Sequence, residues 1–235
     1  MVEQIKIKFL LDRIEKIKEK YLLILSCYKI FDTFNVLKAV NLNNNKELQE
    51  NMNVLNMFPY FFQPISEACR QYFLIEIAKL FDKDKKSLSL YKIVNYSESH
   101  IRELDKESFF QYHKRNNRVF EQEDIKGYEE LTSKDIKKIR SKISDHEVLI
   151  GKIKGYRDQF LAHNDLKKEA VSINKKEIKS LLETIQEIIE FYYYKLDFSE
   201  NAYDFFSENP TEEFKMIIKN LNNYNKIKKR EKANH

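Results

Sequence analysis

Apolar residues recur every three or four positions along most of the chain, the spacing of a single helix face. From 4 to 41 the series Leu10, Ile14, Ile17, Tyr21, Ile24, Tyr28, Phe31, Phe34, Leu37 predicts one long amphipathic helix or a broken pair. The stretch NLNNNKE at 41–47 interrupts it. A second pattern begins near 46 and meets Pro59 and Pro64, and because proline is tolerated in a first helical turn a fresh helix is expected at Pro64. That helix, ISEACRQYFLIEIAKLF, is apolar nearly all round and is expected at the centre of a bundle.

The charged DKDKKS at 82–87 reads as a loop, with Ser87 or Ser89 capping a short helix through Leu90 and Ile93. Residues 95–131 are polar and weakly periodic, an expected insertion with one helix around 103–112. Thr132 and Asp135 make a capping signal for the stripe Ile136, Ile139, Ile143, His146, Ile150, Ile153, which predicts one long helix to about Asn164. Asn174 with Glu177 opens the next helix, with Ile178, Leu181, Leu182, Ile185, Ile188, Ile189 and Tyr192 on one face. Asn209, Pro210 and Glu212 announce a last helix with Phe214, Ile217, Ile218 and Leu221 inward. The expected architecture is all-α, five to seven helices in one bundle, with residues 1–222 as a single domain and 223–235 as a basic tail.

Composition strengthens the helical reading. Three glycines and three prolines are too few for the turns of sandwiches, barrels or βαβ units. Cys27 and Cys69 lie in apolar helical contexts without CxxC spacing and read as small core residues in a reducing compartment. No apolar run approaches a bilayer span, and MVEQIKIKFLLDRIEKIKEK lacks a signal-peptide layout, so a cytoplasmic, non-membrane protein is expected.

The formal charge of +5 is unevenly spread. Residues 133–168 hold ten Lys or Arg against five Asp or Glu, and 219–235 hold six against one. Two concentrated basic stretches fit either a polyanionic partner or a solvated lysine-rich helix face.

Several chemistries are excluded by missing residues. No GxxxxGK[ST], GxGxxG, HExxH or Cys/His cluster occurs, and DKDKK at 82–86 lacks the rest of a calcium loop, so no cofactor or resident metal is expected. Of the five histidines, His100, His113 and His235 read as surface residues, and His146 reads as a hydrogen-bonded core or interface group. His163 stands apart, six residues after Arg157, with Asp158 beside the arginine. On one unbroken helix those two side chains point roughly 120° apart, so a bend, a helix end or a second copy of the helix is needed to bring them to one phosphate. Two readings stay open on these residues alone: Arg157 in a structural ion pair with His163 at the helix C-terminus, or a site for an anion.

The stretch GYRDQFLAHND resembles the Arg, polar residue, spacer, His signature of the HEPN superfamily, the higher eukaryote and prokaryote nucleotide-binding domains. With LIEIAKLFDKDKKSLSLYKIV upstream, it is similar to the abortive-infection branch over approximately 60–200. The resemblance implies a helical bundle that dimerises through the motif helix, and metal-independent endoribonuclease activity in phage defence or a toxin module. Carried over, Arg157 clamps the phosphate, Asp158 is its polar neighbour and His163 is the acid or base. Lys152, Lys154, Lys167 and Lys168 then become candidates to follow the RNA backbone, with Tyr156 as a stacking residue. Besides RNA, the implied partners are a second copy of the chain and an antitoxin or defence-system protein. Asp165 stands where the branch controlled by nucleotidyl transfer has tyrosine, so that mode of inactivation is not implied. A non-catalytic helical module binding RNA or a partner protein, or a dimeric adaptor locked by Arg157 and His163, is the alternative.

Overall fold

The computed structural model describes residues 2–39, 46–84, 86–162, 174–199 and 204–233. Among the described residues there is no strand, and ten α-helices follow one another. They are α1 (Val2–Ala39), α2 (Lys46–Met57), α3 (Pro59–Leu80), α4 (Leu90–Ser99), α5 (Lys106–Arg115), α6 (Gln122–Gly127), α7 (Ser133–Ser144), α8 (Glu147–Ala162), α9 (Lys175–Asp197) and α10 (Asp204–Ala233). The all-helical bundle expected from the periodicity is what the chain forms, in more segments than five to seven. None of the described helices is long and apolar enough to cross a membrane.

Two differences from the periodicity have local causes. The stripe from Ile136 onward does not run as one helix. It breaks at Asp145–His146, where the His146 amide bonds Ile143 O at 3.1 Å, one residue short of the α-helical partner, before α8 restarts. The other difference is that α3 begins at Pro59 and passes through Pro64. Pro64 gives up the bond to the carbonyl of Tyr60, but Tyr60 is 96% exposed, so water can satisfy that oxygen.

Residues group into two compact units, the first Met1–Tyr21 with Leu74–Asn201, the second Leu22–Phe73 with Ala202–His235. In the first, α7 packs against both α4 and α9. The predicted inward faces are buried: Leu10, Ile14 and Ile17 of α1, Ile136, Ile139 and Ile143 of α7, and all seven predicted positions of α9 from Ile178 to Tyr192. Caps set the starts. Ser89 Oγ accepts the Lys92 amide at the head of α4, Thr132 and Asp135 form a capping box on α7, and Asn174 and Glu177 form another on α9.

The segment 95–131 is more structured than its polarity suggests. After a 3-10 turn at Ile101–Glu103, α5 is capped by Asp105, whose Oδ1 accepts the Ser108 amide at 2.8 Å. Phe109 of α5 stacks on Tyr128 at 4.1 Å, and both are buried. His113, expected on the surface, is 3% exposed. Its Nε2–H donates to Leu196 O at 2.9 Å, while the Tyr128 hydroxyl donates to Lys195 O at 2.9 Å and Arg118 Nη1 to Asp197 O at 2.7 Å. The segment thus supplies donors to the last carbonyls of α9, which a helix leaves without internal partners. That need is invisible to a periodicity count over 95–131 alone.

In the second unit, α2 packs against α10. Phe34, Val54, Leu55, Phe62, Phe214 and Ile218 form its buried cluster, with Leu221 partly buried against it. Ile217, predicted inward, is 52% exposed. Glu50 binds the other end of α10 through Asn222 Nδ2 at 3.0 Å and Lys226 Nζ at 2.6 Å. Helix α10 continues to Ala233, so most of the basic stretch predicted as a tail is helical.

Candidate functional site

Arg157 lies five residues before the end of α8, following Ile150 and Ile153 on the buried stripe, and its side chain is only 19% exposed. A guanidinium that far out of water needs partners, and it has two carboxylates. Nε donates to Asp158 Oδ1 at 2.8 Å and Nη1 donates to Asp82 Oδ2 at 3.0 Å. Asp158 first, and Asp82 with it, hold the guanidinium charged against the cost of burial.

Asp82 is itself fixed by the loop it opens. Its Oδ1 accepts the Asp84 amide at 3.1 Å, Asp84 Oδ1 accepts the Lys86 amide at 2.8 Å, and Ser87 Oγ donates to Asp84 O at 2.7 Å. These side-chain to backbone turns aim the remaining oxygen of Asp82 at Arg157. The Asp84 amide, followed by Arg157, holds the Asp82 carboxyl below the usual aspartate range despite burial.

One turn before Arg157, Lys154 is half-buried with Nζ 6.0 Å from the centre of the Tyr91 ring. Lys83 approaches the same ring at 5.3 Å and lies 3.9 Å from Glu147. Burial lowers the Lys154 pKa, against the opposing pull of Asp82. Beside Asp82 opens a cavity of about 380 Å³, lined by Lys83, Tyr91, Lys92, Asn95 and Arg140 among others. Its volume is at the lower end of small-ligand sites. Arg140 Nη2 is held in that wall by Asn95 Oδ1 at 2.7 Å and Glu98 Oε2 at 2.5 Å.

The sequence-derived candidates therefore divide. Arg157, Asp158 and Lys154 share one side of α8. Lys152, exposed, and Tyr156, half-buried, share another, roughly 160° from Lys154 around the helix axis. His163, Lys167 and Lys168 lie outside the described residues. His146 is half-buried, with Nε2 3.0 Å from Thr184 Oγ1, the hydrogen-bonded histidine its position on the stripe implied. Among the described residues no group of three or more His, Cys, Asp or Glu stands ready for a metal ion. What the sequence reasoning missed is Asp82 with Tyr91 and Lys83. DKDKKS looked like a solvated loop, and its link to Arg157 spans 75 positions, beyond any local pattern.

A family model described as AbiU2, of the HEPN type, matches residues 7–217. The chain belongs to this abortive-infection family. The match takes in α3 and its following loop as well as α8, so Asp82 and Arg157 both lie within the AbiU2 region. No curated protein and no solved structure matches the chain.

Proposed function

We propose that this AbiU2-family chain is a metal-independent endoribonuclease of a phage-defence or toxin-type system, acting in the cytoplasm as a homodimer. The observation that carries the reading is Arg157, a poorly exposed guanidinium oriented by Asp158 and by Asp82, which also lines a cavity with Asp84, Lys83, Lys92, Arg140 and Tyr91. The two bonds use Nε and Nη1, and a guanidinium has five N–H donors, so a fixed Arg157 can still present hydrogen to phosphate.

In this reading the ribose 2′-oxygen attacks the adjacent phosphorus, the P–O5′ bond breaks, and a 2′,3′-cyclic phosphate is left with a free 5′-hydroxyl. His163 removes the 2′-hydroxyl proton or protonates the leaving 5′-oxygen. Arg157 stabilises the charge that grows on the phosphoryl oxygens. Asp158 and Asp82 act on Arg157, and through it on the phosphate. Lys154 follows the backbone on the Arg157 side of α8. Lys152, Tyr156, Lys167 and Lys168 serve the approach of the strand. In this reading a second copy of α8 across a two-fold axis completes the site by supplying its histidine, and an antitoxin or defence partner restrains the activity.

The test is incubation of purified protein with RNA in the presence of a chelator. Cleavage that leaves cyclic phosphate ends and is lost in both Arg157→Ala and His163→Ala supports the reading. Cutting that survives both changes overturns it. One observation favours a second reading: two carboxylates neutralise Arg157, which suits a lock more than a clamp. A non-catalytic module would bind RNA in a salt-sensitive way, or bind a partner protein, and never cut.

A further inference from the structure

The two cysteines of the chain both belong to the second compact unit, whereas Arg157 belongs to the first. Sequence placed Cys27 and Cys69 in separate helical patterns with no shared motif. In the structure Cys27 of α1 and Cys69 of α3 are near neighbours, each thiol acting on the titration of the other. Phe34 of α1 faces Phe62 of α3, ring centres 6.0 Å apart. The two pairs lie seven residues apart on each helix, from Phe34 back to Cys27 on α1 and from Phe62 on to Cys69 on α3. Equal and opposite steps mean that these parts of α1 and α3 run antiparallel, with the cysteines and phenylalanines as successive layers of one seam spaced like a coiled coil. Tyr28 and Phe31 close on Phe73 at 5.6 and 5.7 Å, which fixes the helices on both sides of the sulfurs.

Neither cysteine is part of the fully buried core expected from sequence; both are half-buried and within reach of a small solute. The pair is asymmetric. Interaction with Cys27 lowers the Cys69 pKa to about 7 against the effect of burial, while Cys69 and burial push Cys27 up. A packed pair of structural thiols needs no such access.

We propose that Cys27 and Cys69 are a peroxide-responsive dithiol site that closes into a reversible intramolecular disulfide, clamping α1 to α3. The Cys69 thiolate attacks one oxygen of the peroxide, the O–O bond breaks, and Cys69 becomes a sulfenic acid as hydroxide leaves and takes up a proton to give water. Cys27 then attacks the Cys69 sulfur, its thiol proton passes to the departing hydroxyl, and a second water forms. Overall two thiols and one hydrogen peroxide give one disulfide and two waters. The bond closes the loop from 27 to 69, which contains α2, and restricts the unfolded chain more than the folded one. A thiol reductant reverses it by exchange. The inference stands apart from the Arg157 reading and survives that reading's failure.

The full-length protein, freed of reductant, is treated with hydrogen peroxide and followed by intact mass, free-thiol count and non-reducing electrophoresis. The expected result is loss of two hydrogens per chain, both thiols disappearing together, a monomeric band that migrates faster, and a peptide linking Cys27 to Cys69. Dithiothreitol restores the starting mass, and the thermal midpoint is higher in the oxidised form. Cys27→Ser keeps a hydroxyl donor and lets Cys69 be trapped as sulfenic acid by dimedone; Cys27→Ala removes the donor and slows that trapping severalfold. Thiols that persist, or crosslinks formed only between chains, overturn the site. Equal trapping in the two variants overturns the attacking role of Cys69.

Discussion

Arg157 Nη1 meets Asp82 Oδ2 at 3.0 Å, tying α8 to the loop after α3 across 75 residues of sequence. The bond lies where burial, charge and the family match coincide. It gives Arg157 a second carboxylate besides its neighbour Asp158.

Asp82→Asn leaves one acceptor oxygen where the Asp84 amide and Arg157 each use one, and removes one negative charge from the site. The partners are partly solvated, so the folded state loses only about 0.5–1.5 kcal/mol. RNA affinity is expected to rise, because a cation is uncovered, while cleavage falls by roughly tenfold as the guanidinium loses its fixed orientation. Filter binding and gel-based cleavage on the same preparation check both arms. Weaker binding together with unchanged cleavage would remove Asp82 from the site.

Lys154 occupies the Arg157 side of α8 and Lys152 the other, so their substitutions should differ. Lys154→Gln is expected to lower RNA affinity in the presence and absence of cleavage, and to reduce the slope of log affinity against log salt by about one. Lys152→Gln, at an exposed position away from Arg157, should change the slope less. Equal slopes for the two variants would mean that RNA does not distinguish the faces of α8.

Phe34 packs its ring 4.5 Å from Phe214 and 6.0 Å from Phe62, and is 1% exposed. Phe34→Ala opens a cavity where three helices converge and should cost about 3–5 kcal/mol in denaturant unfolding. A loss below about 1 kcal/mol would mean that the cluster collapses around the gap. The Leu23→Ala change, at a residue 56% exposed, serves as the control and should lie within about 0.5 kcal/mol of the parent.

Which of these features sequence could reveal depends on the range of the interaction that makes them. The buried faces of α1, α7 and α9 follow from spacing within one helix, and the Thr132 and Asn174 caps from residues three apart, so periodicity and capping rules reach them. The Asp158 partner of Arg157 was legible because the two are adjacent in sequence. Asp82 was not, because its charge looked like one more solvated group in DKDKKS until the chain folded back on α8. The break at Asp145–His146 escaped for a different reason. Ile143 and Ile150 keep the phase of a continuous helix across it, so an apolar count registers no interruption. His113 was misplaced because its polar neighbours hide that its ring is needed at the far end of α9.

The pH dependence of stability follows from that histidine and from two carboxylates. Burial lowers the His113 pKa from its ordinary 6.5, against the bond to Leu196 O, so the folded protein prefers the neutral ring. As pH falls below 6.5 the unfolded chain takes up a proton that the folded chain does not, and stability declines until the folded pKa is passed. Glu76, 7% exposed, is desolvated, which raises its pKa, but Lys79 Nζ at 2.5 Å and Lys20 Nζ at 3.0 Å outweigh this and leave it below its ordinary 4.5. Together with Asp82 it contributes stability present above that range and lost as pH falls through the folded values. Two phases of acid destabilisation are therefore expected, the first beginning near 6.5 and the second below 4.5. His113→Phe preserves ring packing on Phe109, leaves Leu196 O without its donor, and should lose about 1–2 kcal/mol at neutral pH. It should also erase the first phase while leaving the second. Denaturant midpoints measured across pH for both proteins decide it: a first phase that persists in His113→Phe would assign that titration to another group.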